Sequence, residues 1–202
     1  MLNYFSSTDK QRIEEGIRKR YAKVALTPEG TFRYPTGRAG LEGLNYDPQM
    51  INELTQEVIS SYCGVGNPFT LEPIREGDSV LDVGCGGGVD TFLAALMVGP
   101  RGRAIGIDLV PEMVARAREN VRKTSLKNVS FQEASPEEMP FPDGSFDVVI
   151  SNGAFNLVIE KAKALKEVFR VLKPRGRLMM ADQILAGEFP DDKNARIEKW
   201  AR

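Results

Sequence analysis

The chain contains no histidine at all. That absence removes every imidazole triad, every zinc site with histidine ligands and every imidazole base. Any chemistry done here falls to carboxylates, hydroxyls, tyrosine, lysine, thiols or positioning alone. Cysteine is nearly as scarce, with Cys63 and Cys85 the two present. Two thiols make no disulfide framework and point to a reducing, cytoplasmic setting. Charge of one sign is not in excess, because 27 Lys and Arg face 28 Asp and Glu. A balance so near zero gives no electrostatic basis for a nucleic-acid partner. No apolar run is long enough to span a membrane. The opening MLNYFSSTDKQRIEEG lacks the basic-then-apolar order of a secretory signal. Internal repeats and low-complexity tracts are absent too.

What is present is ordinary in bulk and ordered in pattern. A chain of 202 residues, 42% hydrophobic and 27% charged, can bury one full core with a small appendage. The pattern changes near residue 70, dividing the chain into a helical lid and substrate region, 1–70, and an α/β domain, 71–202. In the first part, Ile13, Ile17, Tyr21 and Val24 recur at helical spacing, predicting a helix over 8–26 whose apolar stripe is core packing. Thr27 to Gly43, rich in glycine and proline, reads as irregular loop. Asp47-Pro48 offers an N-cap and a first-turn proline. Ile51, Leu54, Val58 and Tyr62 continue that helix to a stop at Gly64.

From residue 77 strands and helices alternate. Strands are predicted at 79–84, 103–108, 128–134, 146–152 and 176–185. Helices are predicted at 88–98, from Pro111 to about Lys123, and at 160–172, the last with Ala162, Leu165, Val168, Phe169 and Leu172 on one face. Strands that are apolar throughout, separated by helices, imply a mostly parallel sheet covered on both faces. Right-handed crossovers then give a doubly wound, Rossmann-like fold with its ligand at the carboxyl ends of the strands. DDKNARIEKWAR supplies one final helix. No sequence remains after it for a terminal hairpin beside strand five. Either the chain is shortened, or a second copy covers that edge, which would aggregate if bare.

The strongest local feature is Asp82-Val83-Gly84-Cys85-Gly86-Gly87-Gly88, where the first strand turns into the first helix. Glycines let the backbone bend and approach a ligand closely, and the helix start offers free N–H groups. Such a turn holds a pyrophosphate or an amino-acid carboxylate. The dinucleotide pattern G-x-G-x-x-G would need glycine where Val89 stands, and a Walker loop would need Gly-Lys-Ser/Thr. Asp82, two residues ahead of the first glycine, would be awkward beside a pyrophosphate. It can accept from an ammonium group or hold the loop through its amides. Asp108 closes the second strand, where an acid can grip both hydroxyls of a ribose or cap the helix at Pro111. Leu109 and Val110 can pack on an adenine. Ser135, Pro136 and Glu137 follow the third strand in a loop. Asn152 can offer its backbone carbonyl to an ammonium group, and Asn156 can face substrate or form the turn.

These stretches resemble class I S-adenosylmethionine-dependent methyltransferases of type 11. They are SVLDVGCGGGVDTFLAA, RAIGIDLVPEMVARAREN, FDVVISNGAFNL and EVFRVLKPRGRLMMADQIL, and the similarity covers about residues 61–200. Within that group they resemble the arsenite branch, and more distantly the quinone-methylating one. The resemblance implies S-adenosylmethionine as cofactor and S-adenosylhomocysteine as product. It implies that Asp82, Gly84, Cys85, Gly86, Asp108, Leu109, Ser135, Pro136 and Asn152 hold the cofactor, with Ser135 at the place of an acid that reads the adenine and the backbone near Pro136, or Glu137, as substitute. The expected reaction is in-line methyl transfer to a small molecule, with no metal site. Proximity and electrostatics carry most of that chemistry, so a missing base is tolerable. Tyr21, Tyr46 or a carboxylate is available as base, and none is singled out. Arsenite enzymes hold As(III) with thiolates. Gly153 and Val65 stand where two of these cysteines belong, so the arsenite activity does not carry over with the fold. A module that binds the cofactor without turnover fits the same residues, and an arsenite methyltransferase with atypical cysteines is the other alternative.

Overall fold

The structure, a computed structural model, describes residues 5–184, 187 and 192–200. Five strands form one sheet in the order β3-β2-β1-β4-β5. They are β1 (Ser79–Val83), β2 (Arg103–Asp108), β3 (Val129–Glu133), β4 (Phe146–Asn152) and β5 (Leu172–Ala181), and every pairing is parallel. Chain order reverses between β1 and β4, which opens a crevice at their carboxyl ends. This is the expected α/β Rossmann-like architecture.

Alternation along β1 decides what each face meets. Val80 packs with Ala94, Ala95 and Val98 of helix α5 (Val89–Val98), while Leu81 and Val83 pack with Ala164, Val168 and Val171 of α7 (Lys161–Val171). Asp82 therefore turns toward α5, and its carboxylate accepts the Thr91 hydroxyl at 2.6 Å. Helix α6 (Pro111–Val121) joins the α5 side through Val114 and Ala117. The predicted helices at 88–98 and from Pro111 form within two residues of their expected ends.

The apolar face of α7 differs from the expected one. Leu165 and Phe169 are 45% and 82% exposed, and the buried positions are Ala164, Val168 and Val171. Two overlapping stripes share Val168; the one containing Ala164 faces inward because a small side chain lets the helix approach the sheet. Leu172 already belongs to β5, which begins earlier than predicted. There Phe146 pairs with Leu172 but Val148 pairs with Arg177, so a bulge at Lys173–Gly176 absorbs the shift, with Arg175 at φ 68°. Beyond Ala181 the strand has ended, and residue 185 of the expected strand lies outside the described residues.

The N-terminal part is more broken than predicted. Helix α1 (Ser7–Val24) begins with a capping box, Ser6 and Asp9 each accepting the other's N–H. A short helix α2 (Gly37–Gly43) occupies the stretch expected as loop. It forms because tertiary contacts hold it: the Gly37 N–H donates to the Tyr62 carbonyl, and a side chain at Gly40 would strike the Pro35 carbonyl. The helix expected from Pro48 splits into α3 (Pro48–Asn52) and α4 (Gln56–Ile59), because Thr55 starts a new helix by accepting the Val58 N–H. A 3₁₀ turn, Pro68–Thr70, leads into the sheet. The last helix, α8 (Lys193–Trp200), lies on α1 through Ile197, with a Lys193–Asp9 ion pair at 2.8 Å. Among the described residues no helix is long and apolar enough to cross a membrane.

Candidate cofactor and acceptor site

The crevice between β1 and β4 opens into a cleft whose free volume, its mouth included, is about 920 Å³. Its floor is the glycine turn. Gly84 and Cys85 donate their N–H groups to the Ile107 carbonyl at 2.8 and 3.0 Å, tying the turn to the end of β2. Gly84 sits at φ 76°, and a Cβ there would lie 2.2 Å from that of Ala154. Only glycine satisfies both conditions. Gly86, at φ 52°, has nothing within 4 Å of where a Cβ would stand, so its backbone faces free space.

Asp108 is bound into this frame twice. Its Oδ2 accepts the Gly86 N–H and its Oδ1 the Val110 N–H, both at 2.9 Å. The helix cap at α6 is Val110, so Asp108 is not its N-cap. Burial raises the Asp108 carboxyl above the usual range, while the amides of Val110, Gly86 and Leu109 oppose that shift. Two oxygens carry about four acceptor sites, more than these amides use, and Asp108 lines the cleft together with Leu109, Ser135 and Pro136. The Ser135 hydroxyl accepts the Glu137 N–H at 3.1 Å, and Glu137 in turn accepts the Glu160 N–H at 3.0 Å.

Asp82 and Cys85 line an adjoining hollow of about 350 Å³ rather than the main cleft; Gly84, Gly86, Cys63 and Asn152 border both spaces. Cys85 packs into the core with Val89, Phe92 and Phe131. Burial pushes its thiol well up. Among the described residues Asp82 accepts no amide of the loop, and its partner is the Thr91 hydroxyl. Asn156 is not among the cleft residues. Its N–H donates to Asp182 at 2.8 Å.

Sequence reasoning missed the polar hub beside this hollow. The Asn152 amide oxygen accepts the N–H groups of Val65 and Gly66 at 2.8 and 3.1 Å. Its nitrogen donates to Asp90 Oδ2 at 2.9 Å and to the Gly66 carbonyl at 2.8 Å. The Tyr46 hydroxyl donates to Asp90 Oδ1 at 2.8 Å, and Tyr62 donates to Tyr46 at 3.2 Å. An acid one residue inside the helix after the turn was the available signal; its tyrosine partners lie far off in sequence and carried none.

The second wall comes from α1 and the segment beyond α4. Glu14, Ile17, Tyr21 and Cys63 line the cleft together with Gly153, Leu157 and Val158. Ile17 and Tyr21 thus line the cleft, whereas Ile13 is core, as predicted for the whole stripe. Above them Lys10 pairs with Glu160 at 2.6 Å, and the Trp200 indole donates to the Leu157 carbonyl at 2.8 Å. No lysine or arginine is among the described residues that line the cleft, although Glu14, Asp108 and Glu137 are.

A family model described as a methyltransferase domain matches residues 74–202. The arsenite methyltransferase of Halobacterium salinarum is 36% identical over 198 residues, covering 91% of this chain and 50% of that protein. Among solved structures, an arsenic(III) S-adenosylmethionine methyltransferase from Chlamydomonas reinhardtii aligns with TM-score 0.56 and 31% identity, over 74% of this chain and 50% of that one. A SAM-dependent methyltransferase from Aquifex aeolicus aligns with TM-score 0.55 and 30% identity, over 77% and 79%. The chain belongs to the S-adenosylmethionine-dependent class I methyltransferases and resembles their arsenite branch, so its cofactor is S-adenosylmethionine. It spans about half the length of the curated relatives it matches.

Proposed function

We propose that this chain transfers a methyl group from S-adenosylmethionine to a small, uncharged acceptor seated against α1. The observation that carries the reading is the glycine turn at the β1–β4 crevice, locked to Asp108 at 2.9 Å and open at Gly86. When bound, the cofactor supplies a methyl group on a positively charged sulfur that is a good leaving group. The residues present fit it. Gly84 and Gly86 give its amino-acid end room, Asp108 has lone pairs for the ribose, and Leu109, Ser135 and Pro136 flank the place of the adenine. Asp82 and Asn152 border the hollow at the amino-acid end, and Cys85 closes it from the core side.

The segment up to residue 70 is the lid and substrate region in this reading. Ile17, Tyr21 and Leu157 exclude water and hold an acceptor in line with the methyl carbon, so positioning carries the rate. Among the described residues the cleft is lined by carboxylates and by no lysine or arginine, a balance that favours a sulfonium and an uncharged acceptor over an anionic one. Burial raises the hydroxyls of Tyr21 and Tyr46 far above their ordinary value, so both stay protonated and neither serves as base near neutral pH. Burial likewise pushes the Cys63 thiol up to about 12, which keeps it a thiol. Val65 packs at the place a Gly153 side chain would take, its methyls 3.3 Å from that point. These features support a neutral acceptor over thiolate-held arsenite. A cytoplasmic setting suits the two free thiols.

The test is to incubate the protein with methyl-labelled cofactor and a panel of arsenite, neutral phenols and thiols, and carboxylates. Release of S-adenosylhomocysteine with neutral acceptors is expected. Binding without release across the panel would make the chain a cofactor-binding module, and turnover confined to carboxylates would overturn the acceptor class.

A further inference from the structure

Asp90 stands in the first turn of α5, 7% exposed, on the hollow that joins the cleft at Gly84, Gly86, Cys63 and Asn152. We propose that Asp90, rather than Asp82, receives the ammonium group of the cofactor's amino-acid end, and that Tyr46 and Asn152 hold its carboxylate there. The proposal rests on the S-adenosylmethionine reading.

Asp82 and Asp90 are 2% and 7% exposed, and neither has an ion-pair partner among the described residues. Two carboxylates buried beside one hollow without a cation are costly, and that cost is offset when a cation enters. The two acids are not equivalent. Asp82 lies under α5 and has one side-chain donor among the described residues, the buried Thr91 hydroxyl at 2.6 Å. Asp90 is held on both oxygens, by Tyr46 at 2.8 Å and Asn152 at 2.9 Å. Burial and the neighbouring Asp90 push Asp82 well up, so a shared proton resides there and the better-solvated charge stays on Asp90. Each oxygen of Asp90 has used one of its two lone pairs on these neutral donors and keeps another for an N–H.

The same geometry links the cofactor to the substrate wall. Asn152 grips Asp90 with its nitrogen and the backbone at Val65 and Gly66 with its oxygen. A filled ammonium position therefore fixes the segment that carries Cys63 and Val65.

The experiment is a calorimetric titration of wild type, Asp90→Asn, Asp82→Asn and Tyr46→Phe with two probes. S-adenosylhomocysteine carries the ammonium group; 5′-methylthioadenosine keeps the adenosine and sulfur without the amino acid. Asp90→Asn is expected to weaken S-adenosylhomocysteine about 10- to 100-fold and methylthioadenosine less than about 3-fold, the loss of one charge-assisted hydrogen bond. Asp82→Asn is expected to show no selective loss, its effects on the two probes agreeing within about 3-fold. Should Asp90→Asn fail to fold, Tyr46→Phe carries the test through a smaller loss confined to the first probe. Equal loss on both probes would reduce Asp90 to scaffold and overturn the proposal. So would a selective loss in Asp82→Asn with Asp90→Asn intact. If the wild type binds neither probe, the cofactor reading itself falls.

Discussion

Replacing Asp108 by alanine tests the frame of the site directly. In the folded chain this carboxylate accepts the N–H groups of Gly86 and Val110, both at 2.9 Å. Alanine leaves both amides without that acceptor, at about 1–3 kcal/mol each. Against this, the variant no longer buries an anion whose carboxyl burial has raised. The net loss of stability should be about 1–3 kcal/mol, small enough for a domain with about 5–15 kcal/mol to remain folded. Cofactor binding should suffer more. A bidentate grip on two ribose hydroxyls by an ionised group is worth about 3 kcal/mol or more, hence a loss of about 100-fold or greater. Asp108→Asn should fall between, because its single oxygen satisfies one amide while its NH₂ faces the other. The assay is calorimetric titration with S-adenosylhomocysteine and its 2′-deoxy analogue. Wild type should prefer the ribose form, and Asp108→Ala should lose that preference. A preference that survives the substitution would show that something other than Asp108 holds the ribose.

Asp90 gives the ligand-free protein a pH signature. Burial lifts its carboxyl to about 6, so the folded state binds the proton more tightly than the unfolded chain does. Stability should then rise as pH falls through 6 and the gain be complete near 4, a swing on the order of 3 kcal/mol from this group; Asp90→Asn should reduce the pH dependence without abolishing it, because burial raises Asp82 as well. Urea midpoints at pH 5 and 7.5 measure it, and a higher midpoint at pH 7.5 in wild type would contradict it. Phe92 is fully buried, its ring edge-on to Phe131 at 5.3 Å, so Phe92→Ala should cost about 3–5 kcal/mol by denaturant melts. Phe169, exposed on α7, should tolerate serine within about 0.5 kcal/mol in the same assay. A large loss there would return it to the core. Gly84→Ala meets both a positive φ and Ala154, so binding of S-adenosylhomocysteine should drop at least about 10-fold. Unchanged affinity would mean the turn can yield.

The order of strands and helices from residue 77 onward was legible in the chain, because each element there is a local pattern. SVLDV and FDVVISN are apolar without alternation, as strands covered on both faces must be. Pro111 marks where α6 begins, and the glycines at 84, 86 and 88 take the positive φ that only the sequence of residue types could announce. Asp108 was recognisable from its place at a strand end. Tertiary structure alone decided which apolar stripe of α7 turned inward, that the glycine-rich 37–43 coiled into a helix, and that Asp90, Asn152, Tyr46 and Tyr62 met. Each of those outcomes depends on partners distant in the chain, whose contacts outweigh local propensity and leave no periodic trace beside the residues they govern.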